Sequence, residues 1–350
     1  MRQKTIHWLG AALMLAAAGT VQAQSTVTLY GRVSGGIDYQ TNVYDPATGK
    51  SGILWRGGGN QWGTSMLGFK GQEDLGGGLK ALFLLESGFS LDDARFNGPG
   101  FFNRRSFVGL QSGWGTLKLG KDMPISDAHW ALDPTGQQFI SSATLVRGRN
   151  WGGHDNMVSY ETPNWNGLRA LALTSLGEQA QGVTRLRKDA LSVAYTTPTY
   201  ELRAIYDVAR DANGRYSDLY TRSRNLTLGG SVTLDALKLF AAYEQLSAPD
   251  SAAGQPDKAR HYWMGARYRA TGPLTLIGAA YRTTVNRGGG SANLFMLGAD
   301  YGLSRRTLLY ASVGTVRNGG NASFSVQATN NNPAPGRSQA GLYLGMVHSF

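Results

Sequence analysis

The run Tyr200-Glu201-Leu202-Arg203-Ala204-Ile205-Tyr206-Asp207-Val208 decides the fold class. Tyr200, Leu202, Ala204, Tyr206 and Val208 form one apolar row, and Glu201, Arg203 and Asp207 fall on the other. Side chains along a strand point alternately to its two faces, so a period of two separates these rows. A helix would need apolar residues three and four apart, which this run does not show.

The same alternation recurs on both sides of it. Leu226, Leu228, Val232 and Leu234 alternate with Asn225, Thr227, Ser231 and Thr233. Leu237, Leu239, Ala241 and Tyr243 alternate with Lys238 and Glu244, and Tyr262, Met264, Ala266 and Tyr268 with His261, Arg267 and Arg269. A soluble β-sandwich also has one face in and one out. Three features favour a membrane barrel. The apolar rows carry almost no charge, Tyr and Trp recur near segment ends as at membrane interfaces, and connection lengths alternate. Short turns at Gly76-Gly77-Gly78, Ser112-Gly113-Trp114, Asn164-Trp165-Asn166, Pro198-Thr199 and Ser304-Arg305-Arg306 alternate with long polar loops. The loops expected are Asn42 to Asn60, Asp122 to Gly153, Glu178 to Arg187, Pro249 to Lys258 and Asn318 to Arg337. About sixteen alternating segments can be counted, an even number as in single-chain bacterial barrels. The segments at Leu168 to Ser175 and Leu274 to Tyr281 alternate less cleanly. A barrel of that size encloses water, whereas about eight strands would be filled by side chains. The fold expected is all-β, a sixteen-stranded antiparallel transmembrane barrel.

The N-terminus reads as a secretory signal over residues 1–23. Arg2 and Lys4 are followed by an apolar stretch from Trp8 to Gly19, and Val21-Gln22-Ala23 offers small residues for cleavage. The stretch is shorter than the ~20 residues a spanning helix needs. Residues 24–350 then form the barrel, with no domain boundary. The whole chain carries a formal charge of +11, and losing the two charges of Arg2 and Lys4 leaves +9. A basic excess can serve nucleic acid, an anionic surface or an anionic solute. Export disfavours nucleic acid, and a lumen that favours anions fits better.

Bond-making chemistry finds little support. Cysteine is absent, so thiolate metal sites and cysteine nucleophiles are excluded. His7, His129, His154, His261 and His348 form no His-x-x-x-His pair for a metal. There is no Gly-x-Ser-x-Gly run, and the Gly57-Gly58-Gly59 and Gly288-Gly289-Gly290 runs lack a following Lys-Ser/Thr. No enzyme, metal or cofactor is expected. His129 reads as a pore-lining or loop-packing residue.

Several runs in order along the chain resemble the general porins of Gram-negative bacteria, most closely the branch of beta-proteobacteria. They include Val27-Thr28-Leu29-Tyr30-Gly31-Arg32, the stretch Leu67-Gly68-Phe69-Lys70-Gly71-Gln72-Glu73-Asp74-Leu75-Gly76-Gly77-Gly78-Leu79-Lys80-Ala81, and Leu85-Glu86-Ser87-Gly88-Phe89. Arg104-Arg105-Ser106-Phe107-Val108-Gly109-Leu110, Gly115-Thr116-Leu117-Lys118-Leu119-Gly120-Lys121 and Asp155-Asn156-Met157-Val158-Ser159-Tyr160 follow, then Leu297 to Thr307 and the terminal Phe350. The resemblance implies a homotrimer in outer-membrane lipid and lipopolysaccharide, carrying small hydrophilic solutes and inorganic ions by passive diffusion. It also implies a third outer loop, here Asp122 to Gly153, folded into the lumen. It places Arg32, Lys70, Arg104 and Lys121 on a basic wall of the constriction, and Asp127 and Asp133 as acids of the loop. Met66 stands where the family usually has Arg, and Leu84 where a polar lumen residue is common, which weakens anion preference. Phe350, with Met346, Leu344 and Leu342, resembles the family's signal to the barrel-assembly machinery.

Plainer roles stand beside these. The four cations could instead serve as a solvated face or as strand-to-strand ion pairs, and Asp133 and Asp127 as turn-forming residues. The function expected is a general, mildly anion-preferring diffusion channel. The alternatives are a solute-specific channel on the same scaffold, motivated by Met66 and by Trp130 in the third loop, an adhesin-like surface-binding barrel, and an outer-membrane lipid hydrolase.

Overall fold

A computed structural model describes residues 26–180 and 182–350. The signal segment expected at 1–23 lies outside them. The strands among the described residues are β1 (Thr26–Asp45), β2 (Lys50–Gly59), β3 (Ser65–Gly76), β4 (Leu79–Phe89), β5 (Arg105–Ser112) and β6 (Gly115–Asp122). Then come helix α1 (Pro124–Leu132) and two short 3-10 turns, followed by β7 (His154–Glu161), β8 (Leu168–Ser175), β9 (Lys188–Thr196) and β10 (Tyr200–Ala209). The rest are β11 (Arg224–Leu234), β12 (Leu237–Ser247), β13 (Lys258–Arg269), β14 (Leu274–Val285), β15 (Gly290–Gly302), β16 (Thr307–Gly319) and β17 (Gln339–Ser349).

Each strand pairs antiparallel with its neighbour, and the ring closes where β1 pairs β17 from Arg32↔Ser349 to Gln40↔Gly341. On its other edge β1 pairs β3 through Thr26 to Arg32 and β2 through Gly35 to Asp45. β2 and β3 are therefore two halves of one stave, broken at 60–64. Seventeen segments make a closed sixteen-stranded antiparallel barrel. The two uncertain segments, at 168–175 and 274–285, are both strands.

The exposure pattern inverts that of a soluble protein. Met264 and Leu297 are 66% and 67% exposed, while Glu244, His261 and Thr283 on the opposite rows are 0% exposed. Water would penalise such an outer surface, and lipid would not. Closure is also what lipid demands, since an open strand edge would leave backbone groups unpaired in hydrocarbon. Aromatic pairs sit outward at the strand ends. Trp114 stacks on Tyr160, and Tyr195 meets Tyr200, beside the short turns. Tyr243 and Tyr262 meet at 5.0 Å nearer the long loops. No helix of the described residues is long and apolar enough to cross a membrane.

Two expectations are corrected. Asn42 to Asn60 is a hairpin and not a long loop: β1 runs on to Asp45, turns at 46–49 and returns as β2, with Tyr39 packed on Trp55 at 4.6 Å. Polar composition signals water at that height, and strands continue into water because their ladder bonds are made within the sheet. The segment after β6, expected as a long polar loop, carries helix α1. Pro124 at the first turn of α1 suits the fixed φ there, and Asp127 complements the helix N-terminus.

Candidate functional site

Segment 123–153 is tied to residues of β11, β13, β16 and β17. Ile125, Ala128 and Leu132 repeat at helical spacing and are buried. His129, on the same face, places Nδ1 2.9 Å from Ile125 O and Nε2 3.1 Å from Thr227 Oγ1 of β11. It is a loop-packing residue. Trp263 of β13 donates to Leu132 O at 2.9 Å. Gln138 Oε1 accepts from Ser312 of β16 and Tyr343 of β17, each at 3.0 Å. Two glycines permit the close approach. A Cβ at Gly265 would sit 2.5 Å from Pro134 Cγ, and one at Gly314 would sit 2.9 Å from Ile140 Cδ1.

Asp133 is buried within this segment. It accepts from Thr135 N at 2.8 Å, Thr135 Oγ1 at 2.7 Å, Ser142 N at 2.6 Å and Tyr281 Oη at 2.9 Å. Every one of these bonds serves the loop's own turn or its anchorage, so Asp133 is not brought to the other candidates. Asp127 is. Both its oxygens accept from Arg105 Nη2, at 2.7 and 2.9 Å, and its side chain is 44% exposed.

Arg105 is the centre of a charge cluster that sequence reading missed. It also pairs with Asp122, and its Nε lies 3.5 Å from Glu86. Glu86, 3% exposed, accepts from Arg104 Nε at 2.7 Å and from Tyr30 Oη at 2.8 Å. Lys118 completes the group, 3.1 Å from Asp122. A buried pair of this kind is costly to break, by ~3–5 kcal/mol, because the remaining charge has lost its water. The half-exposed contact to Asp127 is worth far less, ~0–1 kcal/mol by the usual scale for exposed pairs.

Arg32 lies beside this group. It donates from Nε and Nη2 to Thr64 O at 3.1 and 2.9 Å, and from Nη2 to Gln137 Oε1 at 2.8 Å. It thereby joins the break in the second stave to the loop segment. Met66 is its direct neighbour on β3. Lys121 pairs with Asp155 at 2.5 Å. Lys188 of β9, another residue the sequence reading missed, donates to Gly153 O at 2.8 Å. Lys70 is exposed on the row of Tyr30, with Nζ 5.4 Å from that ring, and lies opposite Leu84. Among the described residues no carboxylate comes within ion-pair reach of Arg32, Lys70 or Lys188.

A closed barrel with an apolar outside and a charged inside has the form of a conduit. The family profile described as Gram-negative porin matches residues 10–321. The chain belongs to the Gram-negative porins. It is 31% identical to outer membrane porin protein 32 of Delftia acidovorans, over 96% of this chain and 97% of that one. It is 28% identical to an outer membrane porin protein of Bordetella pertussis, over 87% and 92%. Its fold matches the anion-selective porin from Comamonas acidovorans with a TM-score of 0.79, at 27% identity, over 93% of this chain and all of that one. This porin is an outer-membrane channel for passive diffusion of small hydrophilic solutes and ions, and not an enzyme.

Proposed function

We propose that segment 122–153 narrows the lumen of this porin and that the throat prefers anions mildly. The carrying observation is the charge surplus. Arg32, Arg104, Arg105, Lys118, Lys121 and Lys188 face Glu86, Asp122, Asp127 and Asp155, six cations to four acids. The likeness to the anion-selective porin from Comamonas acidovorans supports the same sign. Filtering needs no bond chemistry. Low-dielectric walls focus the field of unpaired charges into the water path, and cations on the wall facing acids on the loop orient dipolar solutes. Screening over ~8 Å at physiological salt keeps the preference modest. Met66 beside Arg32 limits it further, since an apolar side chain there adds no charge.

Lys70 enters this reading as a cation on the approach to the throat, and Asp133 as a loop anchor. We also propose the homotrimer. An apolar hollow of about 500 Å³ on the outer face of β1 and β3 to β6, lined by Val27, Phe83, Val108 and Leu119 among others, supports it as a place for a neighbouring subunit.

The selectivity reading is tested by neutralising Arg32 and Lys121 together, to Gln. The reversal potential in a potassium chloride gradient across a planar bilayer should move towards cations. An unchanged potential would show that these side chains do not set the field of the throat.

A further inference from the structure

We infer that the outer side of the throat is a binding site for small aromatic carboxylates. This deepens, and rests on, the anion-preferring reading. A cavity of about 410 Å³ there is lined by Arg104, Lys121 and Lys188 from the wall and by Trp130, Phe139 and Trp151 from segment 123–153, with one acid, Asp155, paired to Lys121. A neighbouring cavity of about 350 Å³, reaching towards Ala328 and Thr329 of the last outer loop, shares Phe139 and Trp151. A solute entering from that side meets the rings and the cations together.

The two halves of the lining ask for two different things. Arg104 commits Nε to Glu86, which leaves its terminal amino groups free for an oxyanion. Lys188 spends one donor on Gly153 O and makes no ion pair among the described residues, the nearby Asp155 being committed to Lys121. A guanidinium with a free fork is the best carboxylate partner a side chain offers. Chloride would use these cations but none of the rings. The rings are a group: Phe139 and Trp151 lie 6.2 Å apart at 41°, and Trp130 lines the same space from α1. Large partly exposed aromatic surface gathered in one hollow marks a place where something apolar packs. A neutral arene would cover the rings but strip water from the cations without replacing it. A flat acid satisfies both. An apolar cavity of ~150 Å³ already holds benzene, so this one has room for a ring, its carboxylate and bridging water.

The test uses the purified full chain in planar bilayers, with chloride current read while benzoate, acetate or benzyl alcohol is added to the outer side. Benzoate should reduce the current saturably and at least tenfold more tightly than acetate, and benzyl alcohol should leave it unchanged. Trp130→Leu and Trp151→Leu should each weaken the benzoate block about fivefold while acetate behaves as before. Lys188→Gln should weaken benzoate and acetate alike. If potassium chloride shows no anion preference, the selectivity reading falls. If that preference is present and benzoate blocks no more tightly than acetate, the aromatic site alone is overturned. The solute series on the unaltered chain decides this even where a Trp variant fails to fold.

Discussion

Arg105 shows what a single side chain holds in this porin. Three acids, Glu86, Asp122 and Asp127, meet on its guanidinium. Replacing Arg105 with Gln would leave two buried carboxylates short of a partner, at a cost of ~3–5 kcal/mol. The expected outcome is a lower unfolding midpoint together with a reversal potential shifted towards cations. Denaturant titration and bilayer measurement on the same preparation check both, and a shift in neither would remove Arg105 from the centre of the cluster. In the sequence this residue is hidden beside Arg104. Strict alternation sends one of two adjacent arginines inward and the other out. Arg104 escapes that rule because it precedes the strand, so both reach Glu86. Asp133 was equally illegible for the opposite reason. Its partner Tyr281 is 148 residues away, and nothing local separates an acid that faces a pore from one that closes a turn.

At the scale of elements, periodicity was readable wherever it reported a face. It gave the strands, and it was present unused in α1, whose Ile125, Ala128, His129 and Leu132 follow helical spacing. Polarity was a poorer guide, because it measures contact with water rather than loss of the sheet, as the 39–55 hairpin shows. The seating of segment 123–153 depends on distant strands and could not be read locally. Gly265 is where that seating can be probed. A Gly265→Val side chain would meet Pro134 Cγ at 2.5 Å and Gly278 O at 2.6 Å. One of these is backbone of the neighbouring strand, so the loop is the part able to give. Overpacking of this kind costs ~1–3 kcal/mol. Single-channel conductance is expected to change as the loop shifts off β13, whereas the barrel's strand content by circular dichroism should hold. An unaltered conductance would mean that the loop contact at Gly265 does not control the water path.

For the molecule as a whole, alternation allowed either a soluble sandwich or a membrane barrel. The structure separates them by which row is exposed: Leu and Met outward, Glu244 and His261 sealed within. The seam carries a further consequence. β1 and β17 close the ring, and Phe350 exchanges backbone bonds with Gly31 at 3.0 and 3.1 Å. The contacts that finish the fold therefore join the two ends of the chain, the longest separation it has. Such non-local pairing is slow to form. The first strand to emerge from export must wait, with one edge unsatisfied, for the last. Every chain passes through an interval in which the other strands are in place yet the ring is still open, and the β1–β17 pairing ends the wait. Removing residues 339–350 would make that interval permanent. The shortened chain should run on cold gels at its unfolded mobility and be cleared by periplasmic proteases. A compact, heat-shifted band from it would show that the seam is dispensable. The β1–β17 pairing thus sets a clock on assembly: the ring completes only once its last strand is in place.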